Sequence, residues 1–285
     1  MSELCYITTC KGRLAHLQQS LPRVVGQPGV SCVVVDYSCP NGAAAWVRDR
    51  FPQVRVVEVP GQDLFNLSRA RNLGASVADT DWLGFFDADI LWAPNFSSSV
   101  LPALQRGAFL RAEPVTLQTW GSLICHRDDF IACGGYDEAF CGWGGEDDDL
   151  RIRLTLAGLK MSGFSASLLG EIPHYDGLRV RYYDVKEKAL QFRINMVYMQ
   201  AKHDLMRLLG AALSLEVRQS MVAEVTRAVT VTARDRLAEA RLEVELPAQL
   251  LKPPAVNGVV EHWALRRRMV YSVDMKARFS ERLAP

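Results

Sequence analysis

Two clusters of acidic side chains hold the chemistry that this sequence can offer. The first closes the stretch Trp82-Leu83-Gly84-Phe85-Phe86-Asp87-Ala88-Asp89, an apolar run ending in two carboxylates one residue apart. A strand sends alternate side chains to the same side, so Asp87 and Asp89 are expected to converge where the strand runs out. Hard oxygen ligands of this kind suit Mg2+ or Mn2+ held against phosphate oxygens. The second cluster is Phe140-Cys141-Gly142-Trp143-Gly144-Gly145-Glu146-Asp147-Asp148-Asp149. Its acids open a segment with apolar residues at helical spacing, where the macrodipole favours negative charge. Capping accounts for one or two acids, not for four beside an indole. A hydroxyl-rich ligand stacked on Trp143 and read by carboxylates accounts for all of them, and a sugar is such a ligand. Asp148 and Asp149 also suit caps or structural pairs.

The elements that must position these clusters follow an alternating pattern. Strands are expected at 4–10, 31–36, 54–59 and 82–86, and helices at 14–25, 43–51 and 67–77. Such alternation is the mark of a mostly parallel α/β sheet with crossover helices, and ligands of these sheets lie beyond the carboxyl ends of the strands. No GxGxxG or GxxxxGK[ST] sequence occurs, so neither a dinucleotide fingerprint nor a P-loop handles phosphate here. Further on, the pattern gives a helix at 100–104, short strands at 108–110 and 122–125, a short helix at 127–133, and an extended piece from Leu168 to Tyr175 that reaches His174. The sequence turns helical from Val185, with a second helical run from Ser214 to Ala240. Pro247, Pro253 and Pro254 break that run, and a basic helix is expected over 262–279. A composition shift near residue 205 divides the chain into 1–205 (halves 1–90 and 91–205) and a helical 206–285.

Composition narrows the setting. A chain of 285 residues with 49% hydrophobic residues can bury a sizeable core, and a net charge of +1 gives no general pull toward nucleic acid or anionic membrane. No apolar run reaches the length of a spanning helix. Seven scattered cysteines with no CxxC pair read as reduced thiols of a cytoplasmic protein.

With these residues in place, the sequence resembles the nucleotide-sugar glycosyltransferases of the GT-A fold. Gly142 to Asp149 resembles the signature of the C-terminal domain of β-1,4-galactosyltransferases. Phe65-Asn66-Leu67-Ser68-Arg69-Ala70-Arg71-Asn72-Leu73-Gly74 is similar to another segment of that family, matching at Phe65, Asn66, Asn72 and Gly74. Asp87-Ala88-Asp89 takes the place of the metal-binding DxD. The first two strands are similar to the start of family 2 glycosyltransferases. The resemblance covers residues 4 to 200 and implies a Rossmann-like nucleotide-binding mixed sheet flanked by helices, with a helical C-terminal extension.

The resemblance also implies roles. Asp147 would be the general base, Glu146 would bind sugar hydroxyls, and Trp143 would stack on sugar, with Gly144, Gly145 and Asp148 beside them. Asp89 and His174 would hold the metal. Thr8, Thr9, Arg13, Asp36, Arg69, Asn72 and Asp87 would serve the nucleotide, with Arg13 and the Arg69/Arg71 pair otherwise reading as surface charges. Three positions depart from the family pattern: Cys141 replaces a tryptophan, Leu67 an arginine and Glu171 a methionine. Glu171 would add an oxygen donor at the metal.

The activity implied is inverting, divalent-metal-dependent transfer of a hexose or N-acetylhexosamine, of galactose type, from a UDP-sugar to a hydroxyl acceptor, giving a β-linkage. The acceptor would be a glycan, glycolipid, peptide or small molecule, and the C-terminal helices would offer a homodimer contact. The alternatives are a retaining transferase of the same fold, a non-catalytic sugar- and metal-binding module, and a nucleotidyltransferase.

Overall fold

A computed structural model describes residues 3–116, 119–175, 177–245 and 268–275. The chain forms two compact units, Met1–Glu138 with Gly145–Lys186, and Ala139–Gly144 with Glu187–Pro285. Residue 205 falls inside a helix of the second unit.

The first unit follows the order β1 (Leu4–Cys10), α1 (Leu14–Val24), β2 (Val30–Asp36), α2 (Ala43–Arg50), β3 (Arg55–Glu58), α3 (Leu67–Ser76), β4 (Trp82–Phe85) and β5 (Ile90–Trp92). It continues with α4 (Phe96–Val100), β6 (Ala108–Glu113), β7 (Leu123–His126), α5 (Arg127–Ala132), α6 (Glu146–Leu156), β8 (Lys160–Ser165), β9 (Leu169–Glu171) and α7 (Gly177–Val180). Seven of these strands form one sheet in the order β3-β2-β1-β4-β7-β6-β8. β1 pairs in parallel with β2 and β4, and β2 with β3, while β7 runs antiparallel to both β4 and β6. The early alternation of strand and helix is thus realised as a parallel half, and antiparallel β7 makes the sheet mixed.

Every residue of β1 is buried. Alternation across the pleat explains why: Leu4 and Tyr6 join Val34 and Trp92 in one apolar cluster, while Cys5 and Ile7 join Val33, Val35 and Phe85 in the other. A strand covered on both faces reads as a continuous apolar run. The helix expected at 100–104 is displaced: α4 ends at Val100, and a single 3-10 turn over Leu101–Ala103 follows.

The second unit contains α8 (Lys188–Leu209), α9 (Leu215–Arg234), β10 (Glu239–Glu245) and β11 (Arg268–Asp274). β10 and β11 pair antiparallel, Glu239 opposite Asp274. This corrects two expectations. Glu239 and Ala240 belong to a strand rather than to the helical run, and residues 268–274 of the basic segment are a strand rather than a helix. Ala240, Leu242 and Val244 are buried in alternation, the period of a half-covered strand. The extension is therefore two helices and a hairpin among its described residues. Pro247, Pro253 and Pro254, and the 262–267 and 276–279 parts of the expected helix, lie outside the described residues. Among the described residues, no helix is long and apolar enough to cross a membrane.

Candidate active site

Arg71 gathers the two acidic clusters. It lies on α3, whose start is capped by Asn66, the side chain of which accepts from the Arg69 amide at 2.8 Å. On that helix Ser68, Arg71 and Ala75 turn inward at helical spacing, and Arg71 is only 2% exposed. A guanidinium removed from water needs partners for its fork of donors. Arg71 donates through Nη2 to Asp87 Oδ1 at 2.9 Å and through Nη1 to Asp147 Oδ1 at 2.7 Å, with Glu146 Oε1 3.7 Å from Nη1. Its guanidinium also lies 4.9 Å from the centre of the Tyr136 ring, and the Tyr136 hydroxyl donates to Asp147 Oδ1 at 3.3 Å. Burial works against the Arg71 charge, but Asp147, Tyr136, Asp87 and Glu146 outweigh it and hold its pKa well above the ordinary value. Arg71 is thus a buried hub and not a surface charge.

One cation facing three carboxylates leaves an excess of negative charge. Glu146 absorbs it: burial first, then the Asp147 charge, lifts its pKa to about 8 against the pull of Arg71. Burial and the neighbouring Asp147 charge thus both favour the protonated form of Glu146. Its Oε2 is buried with no hydrogen-bond partner.

The outer oxygens of the paired acids lie close to a glycine. A Cβ placed on Gly121 would sit 3.1 Å from Arg71 Nη2, 3.1 Å from Asp147 Oδ2 and 3.4 Å from Asp87 Oδ2. A glycine here lets the backbone come close to both carboxylates, since any side chain would crowd them.

The four acids of α6 have different occupations. The helix starts on Gly145, whose φ of 95° is a left-handed value that suits glycine. Glu146 and Asp147 serve Arg71. Asp148 Oδ1 accepts from Trp120 Nε1 at 3.1 Å and from Arg151 Nη2 at 2.8 Å. Asp149, fully buried, pairs with Arg153 one turn on at 2.8 Å.

Asp89 turns to another partner. Pairing of β5 with β9 sets Ile90 opposite Glu171, and the Ile172 amide donates to the Asp89 carbonyl at 2.9 Å. That carries His174 to Asp89, with Nδ1 3.1 Å from Oδ2. Burial, then the Asp87 charge, raises the Asp89 pKa above its ordinary range. His174 Nε2 is buried with no hydrogen-bond partner. An imidazole and a carboxylate side by side offer one nitrogen and one oxygen donor to a divalent cation. Among the described residues, no three His, Cys, Asp or Glu side chains come together as a metal-binding group, and Glu171 is exposed at the end of β9. Asp89 and His174 therefore form a two-residue set. Arg13, at the start of α1, feels the charges of Asp89 and Asp87, and its Nη1 lies 3.3 Å from His16 Nδ1. Burial, then Arg13 and His174, depresses His16 to about 4.

A cavity of about 290 Å3 lies where β1, β2 and β3 end, lined by Lys11, Ser38, Pro40, Gly61, Gln62, Asp63 and Tyr182. Sequence reasoning singled out none of these side chains. Lys11 Nζ donates to the carbonyls of Tyr37 at 3.2 Å and Gln62 at 2.5 Å, tying the loops after β1, β2 and β3 together. Asp36 spends both oxygens on backbone amides, Cys39 at 2.6 Å and Ala44 at 2.7 Å. Asn72 clamps Tyr136, with its Nδ2 donating to the carbonyl and its Oδ1 accepting from the amide, both at 2.9 Å. Thr8 and Thr9 are buried in β1, and Arg69 is exposed.

Trp143 belongs to the second unit, as do Gly142 and Gly144. Its amide donates to Gln191 Oε1 at 2.5 Å, and Lys188 Nζ lies 4.4 Å from its ring centre. Tyr136, Trp120 and Gly121 were missed in the sequence, because nothing local marks a residue whose partner lies far along the chain.

Residues 5–110 match the family described as glycosyl transferase family 2, and residues 112–199 match the N-terminal domain of galactosyltransferase. β-1,4-Galactosyltransferase 3 of Cricetulus griseus is 27% identical over 122 residues, covering 38% of this chain and 30% of that protein. The chain thus spans less than a third of the curated relatives it matches. Among solved structures, the mannosyltransferase PcManGT of Pyrobaculum calidifontis, in complex with GDP-Man and Mn2+, superposes with a TM-score of 0.52 at 13% identity, covering 82% of this chain and 75% of that one. S. aureus TarS in complex with UDP-GlcNAc gives 0.53 at 10% identity, covering 82% and 92%. Taken with the mixed sheet, these matches show a GT-A fold whose sequence resembles family 2 glycosyltransferases in its first part and galactosyltransferases in its second.

Proposed function

We propose that the chain is an inverting glycosyltransferase that moves a hexose or N-acetylhexosamine, of galactose type, from a UDP-sugar to a hydroxyl acceptor and forms a β-linkage. The observation that carries this reading is the Arg71 hub, which holds Asp87 and Asp147 by one oxygen each and leaves their outer oxygens beside Gly121. Asp147 Oδ1 is held by Arg71 and Tyr136. Its Oδ2 is the oxygen that takes the acceptor hydroxyl proton as attack proceeds. A single base on the face opposite the leaving group gives inversion, so the paired carboxylates of hydrolases are not required. Protonated Glu146 donates a hydrogen bond to a sugar oxygen through its unpartnered side.

Asp89 and His174 would hold Mn2+ or Mg2+, which supplies Lewis-acid neutralisation of the departing diphosphate. Arg13, next to both aspartates in charge, adds a fixed cation for the same diphosphate. The cavity at the ends of β1, β2 and β3 is the place for the nucleoside, since ligands of such sheets collect there. The bound GDP-Man, Mn2+ and UDP-GlcNAc of the structural neighbours are in keeping with this reading.

The test is a screen for UDP release across UDP-sugars with Mn2+ and with chelator, run beside Asp147→Asn. The variant is expected to lose about 10²- to 10⁴-fold in turnover, the range for removal of a general base, while binding UDP as before. Equal turnover in the variant would reject Asp147 as the base. Release of pyrophosphate from UTP and a sugar phosphate would favour a nucleotidyltransferase.

A further inference from the structure

We infer that Cys10 and Cys39 form a redox-active thiol pair that closes reversibly to a disulfide and reshapes the cavity at the ends of β1 and β2. None of the seven cysteines is held in a disulfide, and Cys10 Sγ lies 3.6 Å from Cys39 Sγ. Cys10 is the last residue of β1, and Cys39 lies in the loop after β2. The Tyr37 amide donates to the Cys10 carbonyl at 3.0 Å, so the two backbones are already stitched together here. The sulfurs need to approach from 3.6 Å to the ~2 Å of a covalent bond.

The two thiols are unequal. Cys10 is fully buried, whereas Cys39 is half-buried and accepts from the Gly12 amide at 3.3 Å. Hydrogen bonding from Cys10, opposed by burial and helped by the Asn41 and Gly12 amides, lowers the Cys39 thiol to about 6. The same thiol contact, with burial, holds Cys10 well above its ordinary range. Cys39 is therefore the attacking sulfur and Cys10 the resolving one, an arrangement typical of oxidation-sensitive cysteines.

With hydrogen peroxide as the oxidant, the Cys39 thiolate attacks one peroxide oxygen, the O–O bond breaks, and hydroxide leaves to be protonated to water. Cys39 is then a sulfenic acid. The Cys10 sulfur displaces the sulfenic oxygen, which leaves as a second water with the Cys10 proton. Two thiols and one peroxide give one disulfide and two waters, with two electrons passing from sulfur to oxygen. A thiol reductant reverses the step by exchange.

Position gives the pair its consequence. Lys11 follows Cys10, and Ser38 and Pro40 flank Cys39; all three line the 290 Å3 cavity. Drawing the sulfurs together moves the backbone that carries these lining groups. The effect on nucleotide rests on the donor reading above, whereas formation of the bond does not.

The experiment is graded peroxide treatment of the full chain, alkylation of the remaining thiols and peptide mapping by mass. A Cys10–Cys39 cross-linked peptide is expected, removed by dithiothreitol, and Cys10→Ala should leave a dimedone-trappable sulfenic acid on Cys39. Both thiols alkylated at a peroxide level that oxidises the exposed Cys141 would overturn the proposal. UDP affinity is then compared between reduced and cross-linked wild type, with Cys39→Ser as the control that cannot close. A drop of about tenfold on oxidation, absent in Cys39→Ser, is expected. An unchanged affinity overturns the link to the cavity. A reduced chain that binds no uridine nucleotide rejects the donor reading and leaves the mapped disulfide standing.

Discussion

Arg71 is a cation whose removal is felt through the anions left behind. Its partners Glu146 and Asp147 are nearly out of water, while Asp87 keeps over a third of its side-chain surface exposed. Arg71→Met is expected to destabilise the chain by about 3 kcal/mol, toward the low end for breaking a buried pair, because Asp87 can rehydrate. Urea denaturation measures this, and a loss under 1 kcal/mol would mean that the hub is dispensable. Glu146 yields a second expectation with a definite sign. Its folded pKa of about 8 lies above the ordinary 4.5, so between those values the unfolded chain has released a proton that the folded chain keeps. Its contribution to stability is full below the ordinary value and is lost as pH rises to about 8. Glu146→Gln removes this loss, so its stability should fall less than that of wild type between pH 5 and 8 in the same denaturation series. Parallel curves would remove the protonated carboxyl from the scheme.

At the scale of elements, the site depends on pairings that the sequence does not announce. The short β5–β9 ladder delivers His174 to Asp89, and the loop before β7 delivers Gly121 to Arg71. Gly121→Ala tests this close approach directly. Its Cβ would press on Arg71 and Asp147 at about 3.1 Å, a crowding that neighbours relieve by small shifts. The fold should survive with little change in melting temperature, while kcat falls about tenfold or more from displaced acids. A variant with unchanged kcat would place the reacting atoms elsewhere.

Much of the scaffold was legible, because local periodicity and short-range capping decide it. The strand-helix alternation through residue 90 and the opening of α6 on its acids are read from neighbouring residues. The division of labour within Glu146 to Asp149 was not, since it is set by Arg71, 76 positions upstream of Asp147, and by Trp120, 28 positions upstream of Asp148. Tyr136 and Gly121 were hidden for the same reason. β10 and β11 are a different failure: Ala240, Leu242 and Val244 already alternate, but basic and acidic residues between them also suit a helix face.

For the molecule as a whole, the chain leaves its first unit after Glu138, returns at Gly145, and leaves again after Lys186. The excursion 139–144 takes its partners from α8: Gln191 for the Trp143 amide, Asn195 for the Gly144 carbonyl and Tyr198 for the Phe140 ring. A chain cut after Lys186 loses all three. It should therefore be cleaved within 139–144 by a trace of protease that leaves the full chain intact, as mass spectrometry would read. Equal resistance would mean that the excursion is held by its own turns.

The same excursion imposes an order on biosynthesis. Gln191 is 48 positions beyond Trp143, so the ribosome releases the glycine-tryptophan segment well before it makes the helix that receives it. Until then the nascent polypeptide carries an unshielded indole directly ahead of the acids that Arg71 must capture. Slow translation, or a chaperone that covers aromatic side chains, would therefore act on this protein at that one interval of its synthesis.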